Sequence, residues 1–85
     1  MKTFTYTIKD ELGIHARPAG MLAKTAKALD SEIIIACEEK SAAATKLMAL
    51  MGMGIKCGDT ITVTINGGDE TASEKAMQEF FKANL

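Results

Sequence analysis

Apolar and polar residues alternate along several short stretches of the chain. Residues 3–8 alternate aromatic or aliphatic residues with threonines, and residues 60–65 alternate in the same way. This two-residue period is typical of strands with one buried and one wet face. Residues 32–38 are β-branched at their centre and predict another strand, and residues 41–43 predict a short one after a turn. The positions assigned to the buried face of the alternating strands are Phe4, Tyr6, Ile8, Ile61, Val63 and Ile65.

A helical period replaces the alternation from Ala16 onward. Pro18 is compatible with a helix only in its first turn, where its missing N–H would have no partner in any case. We therefore expect the helix to begin close to His15, with Lys24 and Lys27 facing solvent. The apolar stripe comprises Ala19, Leu22, Ala23, Ala26 and Leu29.

Two further helices are expected. Thr45 is placed to cap a short helix that runs through Met51 and ends at the glycines that follow. Thr71, with Glu74 three residues later, has the spacing of a capping box and predicts the start of the last helix. The core residues of that helix are expected to be Met77, Phe80 and Phe81.

The predicted element order is β-α-β-β-α-β-α in a chain of 85 residues. Strands with one wet face favour an antiparallel sheet whose other face is covered by helices. The predicted fold class is α+β, an open-faced β-sandwich in which three helices cover one face of a four-stranded antiparallel sheet. A chain of this length supports one modest core, so residues 1–85 are expected to form one domain.

Composition and charge argue against several function classes. Ten basic and eleven acidic residues give a net charge of −1, so no basic excess points to nucleic acid or an anionic membrane. No apolar run approaches the roughly 18 residues of a membrane span, and the N-terminus lacks a secretory signal. We therefore expect no membrane insertion and a cytoplasmic location. Cys37 and Cys57 are interpreted as small, mostly buried residues, and no metal or other cofactor is expected.

The single histidine, His15, lies where the first helix is expected to begin. A lone histidine is more often structural than functional, but its neighbours favour a function here. The amides of Ala16 and Arg17 precede the first intrahelical hydrogen bond, so with the helix dipole they form an anion pocket beside the imidazole. Arg17 adds a guanidinium whose donors suit phosphate oxygens, and Gly13 lets the chain approach with little bulk.

This arrangement of His15, Ala16 and Arg17 favours phosphoryl chemistry. The positive helix end and the guanidinium disfavour protonation of the imidazole, which leaves a ring nitrogen free to attack phosphorus. The same amides and guanidinium would then hold the phosphoryl dianion. Neither an activated serine or cysteine for acyl transfer nor a further set of metal ligands is evident.

The heptapeptide GIHARPA at residues 13–19 resembles the active-site segment of the histidine-containing phosphocarrier (HPr) family of the bacterial phosphoenolpyruvate-dependent sugar phosphotransferase system. The resemblance covers essentially the whole chain and includes the segment LMALMGMGIKCG at residues 47–58. It implies that phospho-enzyme I phosphorylates His15, that the A domain of a sugar-specific enzyme II receives the group, and that Arg17 stabilises the phosphate. It also implies a carrier rather than an enzyme, and one exposed site per chain leads us to expect a monomer.

A methionine-rich surface is expected to bind these partners. A helix this short in a small protein cannot bury every apolar side chain, and flexible methionines suit a surface that docks several proteins. Lys24, Lys27 and Lys46 would surround it with positive charge and speed encounters with acidic partners. Met53 is expected to belong to the same strip. The partner-binding residues predicted are Gly20, Met21, Lys24, Leu47, Met48 and Met51.

Two positions depart from the family pattern. Many Gram-positive members are phosphorylated on a serine at the start of the second short helix, and Lys46 occupies that position here. Thr45 beside it is a candidate substitute hydroxyl for this regulation, but the role of helix cap is favoured for it. Leu12 stands where members often carry a polar residue. The lysine at position 46 argues against kinase-controlled repression and leaves the predicted phosphocarrier role unaffected.

Two other functions are alternatives. A non-catalytic regulatory module could bind its target through Met48 and Met51, although relatives that act in this way lack the histidine that this chain retains. Nucleic-acid binding by the sheet fits poorly, because Phe4 and Tyr6 are its only strand aromatics and both are expected to face inward.

Overall fold

The computed structural model describes all 85 residues and contains four strands and three helices in the predicted order. It confirms the α+β fold class, with helices on one face of an antiparallel sheet. The elements are β1 (Lys2–Thr7), α1 (Ala16–Lys27), β2 (Glu32–Cys37), β3 (Lys40–Ala43), α2 (Leu47–Gly52), β4 (Thr60–Asn66) and α3 (Glu70–Asn84).

The sheet has the strand order β1-β4-β2-β3, and every neighbouring pair is antiparallel. Between β1 and β4, Phe4 lies opposite Val63 and Tyr6 lies opposite Ile61. The intervening threonines are paired with one another and face away from the helices, as the alternation predicted. The two-residue period of these strands therefore decides which sheet face the helices cover.

The core lies between the sheet and the helices. Phe81 of α3 is fully buried and stacks on Tyr6, with ring centroids 5.4 Å apart. Leu22 of α1 is also fully buried, and the predicted stripe on that helix is confirmed up to Ala26. Leu29 is half-buried and lies beyond the helix end at Lys27. None of the three helices is long and apolar enough to cross a membrane.

The predicted cap of α2 was wrong by one residue. Lys46, not Thr45, is the N-cap, and its side chain forms no capping hydrogen bond. The amide of Lys46 donates to the carbonyl of Ala43 (3.0 Å), while its own carbonyl accepts the first helical bond from Leu50 (3.0 Å). The tight turn after β3 therefore includes Thr45 and leaves it outside the helix.

The predicted cap of α3 was also wrong. The helix begins at Glu70 with Asp69 as N-cap, whose carboxylate accepts from the Ala72 amide (3.2 Å). Glu70 accepts a hydrogen bond from the Gly67 amide (2.8 Å) and so fixes the loop that enters the helix. Thr71 consequently lies in the first turn rather than at the cap.

The two cysteines differ in their surroundings. Cys37 at the end of β2 is half-buried, and burial raises the pKa of its thiol, as do the carboxylates of Asp59 and Glu38. Cys57 is exposed, so the prediction that both are mostly buried was wrong for this residue. It lies in the loop before β4, outside the core, where its side chain is accessible to solvent.

Candidate functional site

His15 is the N-cap of α1. Its backbone is extended (φ −103°, ψ −175°), and its side chain forms no capping hydrogen bond. The first intrahelical bond runs from the Ala19 amide to the His15 carbonyl (2.9 Å), so the amides of Ala16 and Arg17 precede the helical ladder. His15 is therefore half-buried and directly precedes two amides that the helix itself does not use, as the position of Pro18 predicted.

The loop before His15 is fixed by backbone contacts. Asp10 accepts from the Leu12 amide through Oδ1 and from the Gly13 amide through its carbonyl, both at 2.9 Å. The Ile14 amide donates to the carbonyl of Ile55 (3.1 Å). Gly13 is buried with φ +67°, and a Cβ there would lie 2.3 Å from the carbonyl oxygen of Ile55. A glycine is therefore required for both the backbone angle and the close approach.

The end of α3 fastens this loop from the other side. The carbonyl oxygen of Leu85 accepts hydrogen bonds from the amides of Lys9 (2.6 Å) and Asp10 (2.8 Å). The Leu85 side chain is buried in the core, which anchors these bonds. The position of His15 thus depends on α3, although some seventy residues separate them in the chain.

An open cleft of about 270 Å³ lies between the start of α1 and the end of α3. Arg17 is exposed there and forms no ion pair, so its guanidinium is free to approach an anion. The Asn84 amide group is held by its Nδ2, which donates to the Phe80 carbonyl (3.0 Å). The residues lining the cleft are Asp10, His15, Arg17, Pro18, Met21, Ala83 and Asn84.

Sequence reasoning missed the cleft residues Asp10, Ala83 and Asn84. No local pattern marks Ala83 and Asn84, because they reach the cleft only through the packing of α3. Asp10 could have been found from its place five residues before His15 and its suitability for an Asx turn. Its carboxylate adds a negative charge to a cleft otherwise suited to an anion. No three side chains among His, Cys, Asp and Glu come together so that they could hold a metal ion.

The methionine-rich surface is present, with one correction. Met53 is buried, at 8% exposure, and does not belong to it. The reason is that the turn after α2 directs Met53 into the core, next to the buried Leu50. Gly20 is half-buried, with open space where a side chain would project. The predicted apolar residues that are exposed are Met21, Leu47, Met48 and Met51.

Six of the ten basic residues lie in two segments of the chain that contain α1 and α2, and these two helices pack against each other. Residues 12–29 and 40–58 contain none of the eleven Asp and Glu residues. The near-zero net charge is therefore the sum of a cationic part of the chain and a predominantly acidic part. The cations of the two segments are Arg17, Lys24, Lys27, Lys40, Lys46 and Lys56.

Gly13→Ala is expected to destabilise the fold by about 3 kcal/mol, because it combines a left-handed backbone angle with a clash against the Ile55 backbone. Thermal or urea unfolding would measure the loss. Gly20→Ala is the matched control: it lies inside α1 with nothing within 4 Å of the added Cβ, and it should stabilise by up to about 1 kcal/mol. Equal stability of the two variants would contradict the packing described for the loop.

Comparison with known proteins gives one consistent family. The family profile described as "PTS-HPr: PTS HPr component phosphorylation site" matches residues 2–83. The phosphocarrier protein HPr of Lysinibacillus sphaericus is 39% identical over 77 residues, covering 91% of this chain and 88% of the relative. That of Mycoplasma capricolum is 38% identical over 79 residues, covering 93% and 89%. A solved histidine-containing phosphocarrier protein of Mycoplasma superposes with a TM-score of 0.89 at 37% identity, covering 93% of this chain and 90% of that one.

Proposed function

The chain belongs to the HPr family, the phosphocarrier proteins of the phosphotransferase system, and from that premise we propose that His15 is the residue that carries the phosphoryl group. His15 accepts the group from phospho-enzyme I and passes it to the A domain of a sugar-specific enzyme II. Residues 1–85 act as one carrier domain. The chain is a relay component rather than an enzyme, because its phosphorylated form is the product of one transfer and the substrate of the next.

The observation that carries this proposal is the position of His15. Its side chain takes no part in capping α1, it lines an open cleft, and the amides of Ala16 and Arg17 that follow it precede the helical ladder. A nucleophile that serves a protein partner has to be accessible, and a ring committed to an internal hydrogen bond would be less available.

Transfer to His15 is a displacement at phosphorus. A lone pair on a ring nitrogen forms the new N–P bond while the bond that joins phosphorus to the donor breaks. The electron pair of the broken bond stays with the donor. The phosphoryl oxygens then accept hydrogen bonds from the amides of Ala16 and Arg17 and from the guanidinium. The reverse displacement at the acceptor releases the group.

The sparse environment of His15 suits release as well as capture. A carrier that held its phosphoryl group too strongly would be trapped in that state. Arg17 provides the only cationic side chain lining the cleft, and Asp10 opposes it with a carboxylate. These opposite charges keep the phosphorylated state from being over-stabilised.

The surface around α1 and α2 is where we place partner docking. Its exposed apolar side chains lie in two segments, residues 12–29 and 40–58, that carry six cations and no carboxylate. A partner with a complementary acidic rim is therefore attracted to this face and oriented toward His15. The residues assigned to contact the partner are Gly20, Met21, Lys24, Leu47, Met48 and Met51.

The function is tested by incubating the purified chain with phosphoenolpyruvate and enzyme I. The expected result is one phosphate per chain, labile in acid and stable in base, as a phosphorus–nitrogen bond requires. Mass spectrometry under neutral conditions would count the phosphate and locate it. Absence of incorporation, or a phosphate that survives acid, would overturn the proposal.

A further inference from the structure

Leu12 is a large apolar side chain in solvent, and it lies in the loop that leads to His15. It is 72% exposed, close to the 77% of Met48. Isolated surface leucines are common, but the large exposed apolar residues of this chain are not scattered. With the exception of Met1, they all lie in the loop before His15, in α1 or in α2. They are Leu12, Met21, Leu47, Met48 and Met51.

The backbone that carries Leu12 is fixed. Its own amide and that of Gly13 are bonded to Asp10, and Ile14 is bonded to Ile55. Gly13 is packed against the Ile55 backbone, so the residue that follows Leu12 is held in place as well. The leucine is therefore presented to solvent on a fixed backbone, and covering it costs little further backbone conformational entropy.

The loop before His15 is bonded to the segment that follows α2, the helix that carries most of the proposed docking surface. Ile55, which the loop contacts, follows α2 by three residues, and α2 carries Leu47, Met48 and Met51. Met21 of the same surface lines the cleft together with His15. Because Leu12 precedes His15 by only a few residues in the same loop, we expect a partner that exchanges a phosphoryl group with the imidazole to contact Leu12 as well.

We propose that Leu12 is a docking and specificity residue, which inserts into an apolar depression beside the reactive group of enzyme I. The inference rests on the proposed function and extends its surface beyond the residues of α1 and α2. The partner surface that fits has carboxylates facing the cations of α1 and α2 and an uncharged apolar recess facing Leu12. A partner with a polar group at that recess would be disfavoured, because docking would leave the group without a hydrogen-bond partner.

The test compares Leu12→Ser with Leu12→Met as acceptors of the phosphoryl group from phospho-enzyme I. Loss of the apolar side chain is expected to raise the KM for this chain about tenfold, since most of a leucine side chain would no longer be buried on docking. The kcat should be unchanged because His15 and its amides are untouched. Leu12→Met keeps an apolar side chain of similar volume and should stay within about twofold of the wild type.

Each other outcome contradicts the proposal in a defined way. Equal KM values for Leu12→Ser and the wild type would remove Leu12 from docking. A loss confined to kcat, or a lowered melting temperature, would show that Leu12 acts on the loop instead. If the wild-type chain accepts no phosphate at all, the proposed function itself fails, which is distinguishable from a phosphorylated wild type with an unaffected Leu12→Ser variant.

Discussion

His15→Ala is expected to accept no phosphoryl group from phospho-enzyme I. His15 is the only histidine of the chain, so no second imidazole can substitute for it. The half-buried ring forms no hydrogen bond within the protein, and its removal should change the free energy of unfolding by less than about 1 kcal/mol. The loss is therefore expected to be one of chemistry and not of folding. Phosphate incorporation and thermal unfolding, measured on the same preparation, would separate the two.

The same His15→Ala variant provides a second measurement. Its docking surface is intact, so it should inhibit phosphorylation of the wild-type chain by competing for enzyme I. A variant that neither accepts phosphate nor competes, although folded, would show that His15 is needed for docking rather than for transfer. Full incorporation into His15→Ala would contradict the assignment of the phosphorylated residue.

Arg17→Ala is expected to slow transfer by about 100-fold, the effect of removing one positioned electrostatic donor. Arg17 is exposed and forms no ion pair in the free protein, so its stability contribution is small and the effect should fall on the rate. Arg17→Lys should recover only part of that rate, because an ammonium cannot present the paired donors of a guanidinium. Single-turnover phosphorylation by phospho-enzyme I would measure both variants.

Lys75→Ala is the matched control for Arg17→Ala. It removes the same charge from an exposed position, but on α3 and away from the cleft lining. Its transfer rate should stay within about twofold of the wild type, since screening weakens the influence of a distant surface charge. Equal slowing in the two variants would mean that net charge, and not the position of Arg17, controls transfer.

The sequence and the structure agree most closely on periodic elements. The alternation in β1 and β4 and the stripe on α1 predicted both the elements and their buried faces, because these depend on which side chains can leave water. The predicted caps of α2 and α3 were wrong because a cap is not decided by which side chains leave water. Asp69 and Thr71 are both acceptable N-caps by type, and the choice follows from the loop contacts of Gly67 with Glu70 and with Ser31.

The start of α1 at His15 followed from the sequence alone, since a helix can contain Pro18 only in its first turn. The two free amides and the neighbouring guanidinium follow from that start. The opposite wall of the cleft did not follow, because Asn84 reaches it through the packing of α3 and Leu85 fastens the loop through its carbonyl. Chemistry that depends on neighbouring residues can be predicted from a short stretch of sequence. Contacts between distant segments form only when a shared core brings them together, so no short sequence pattern predicts them.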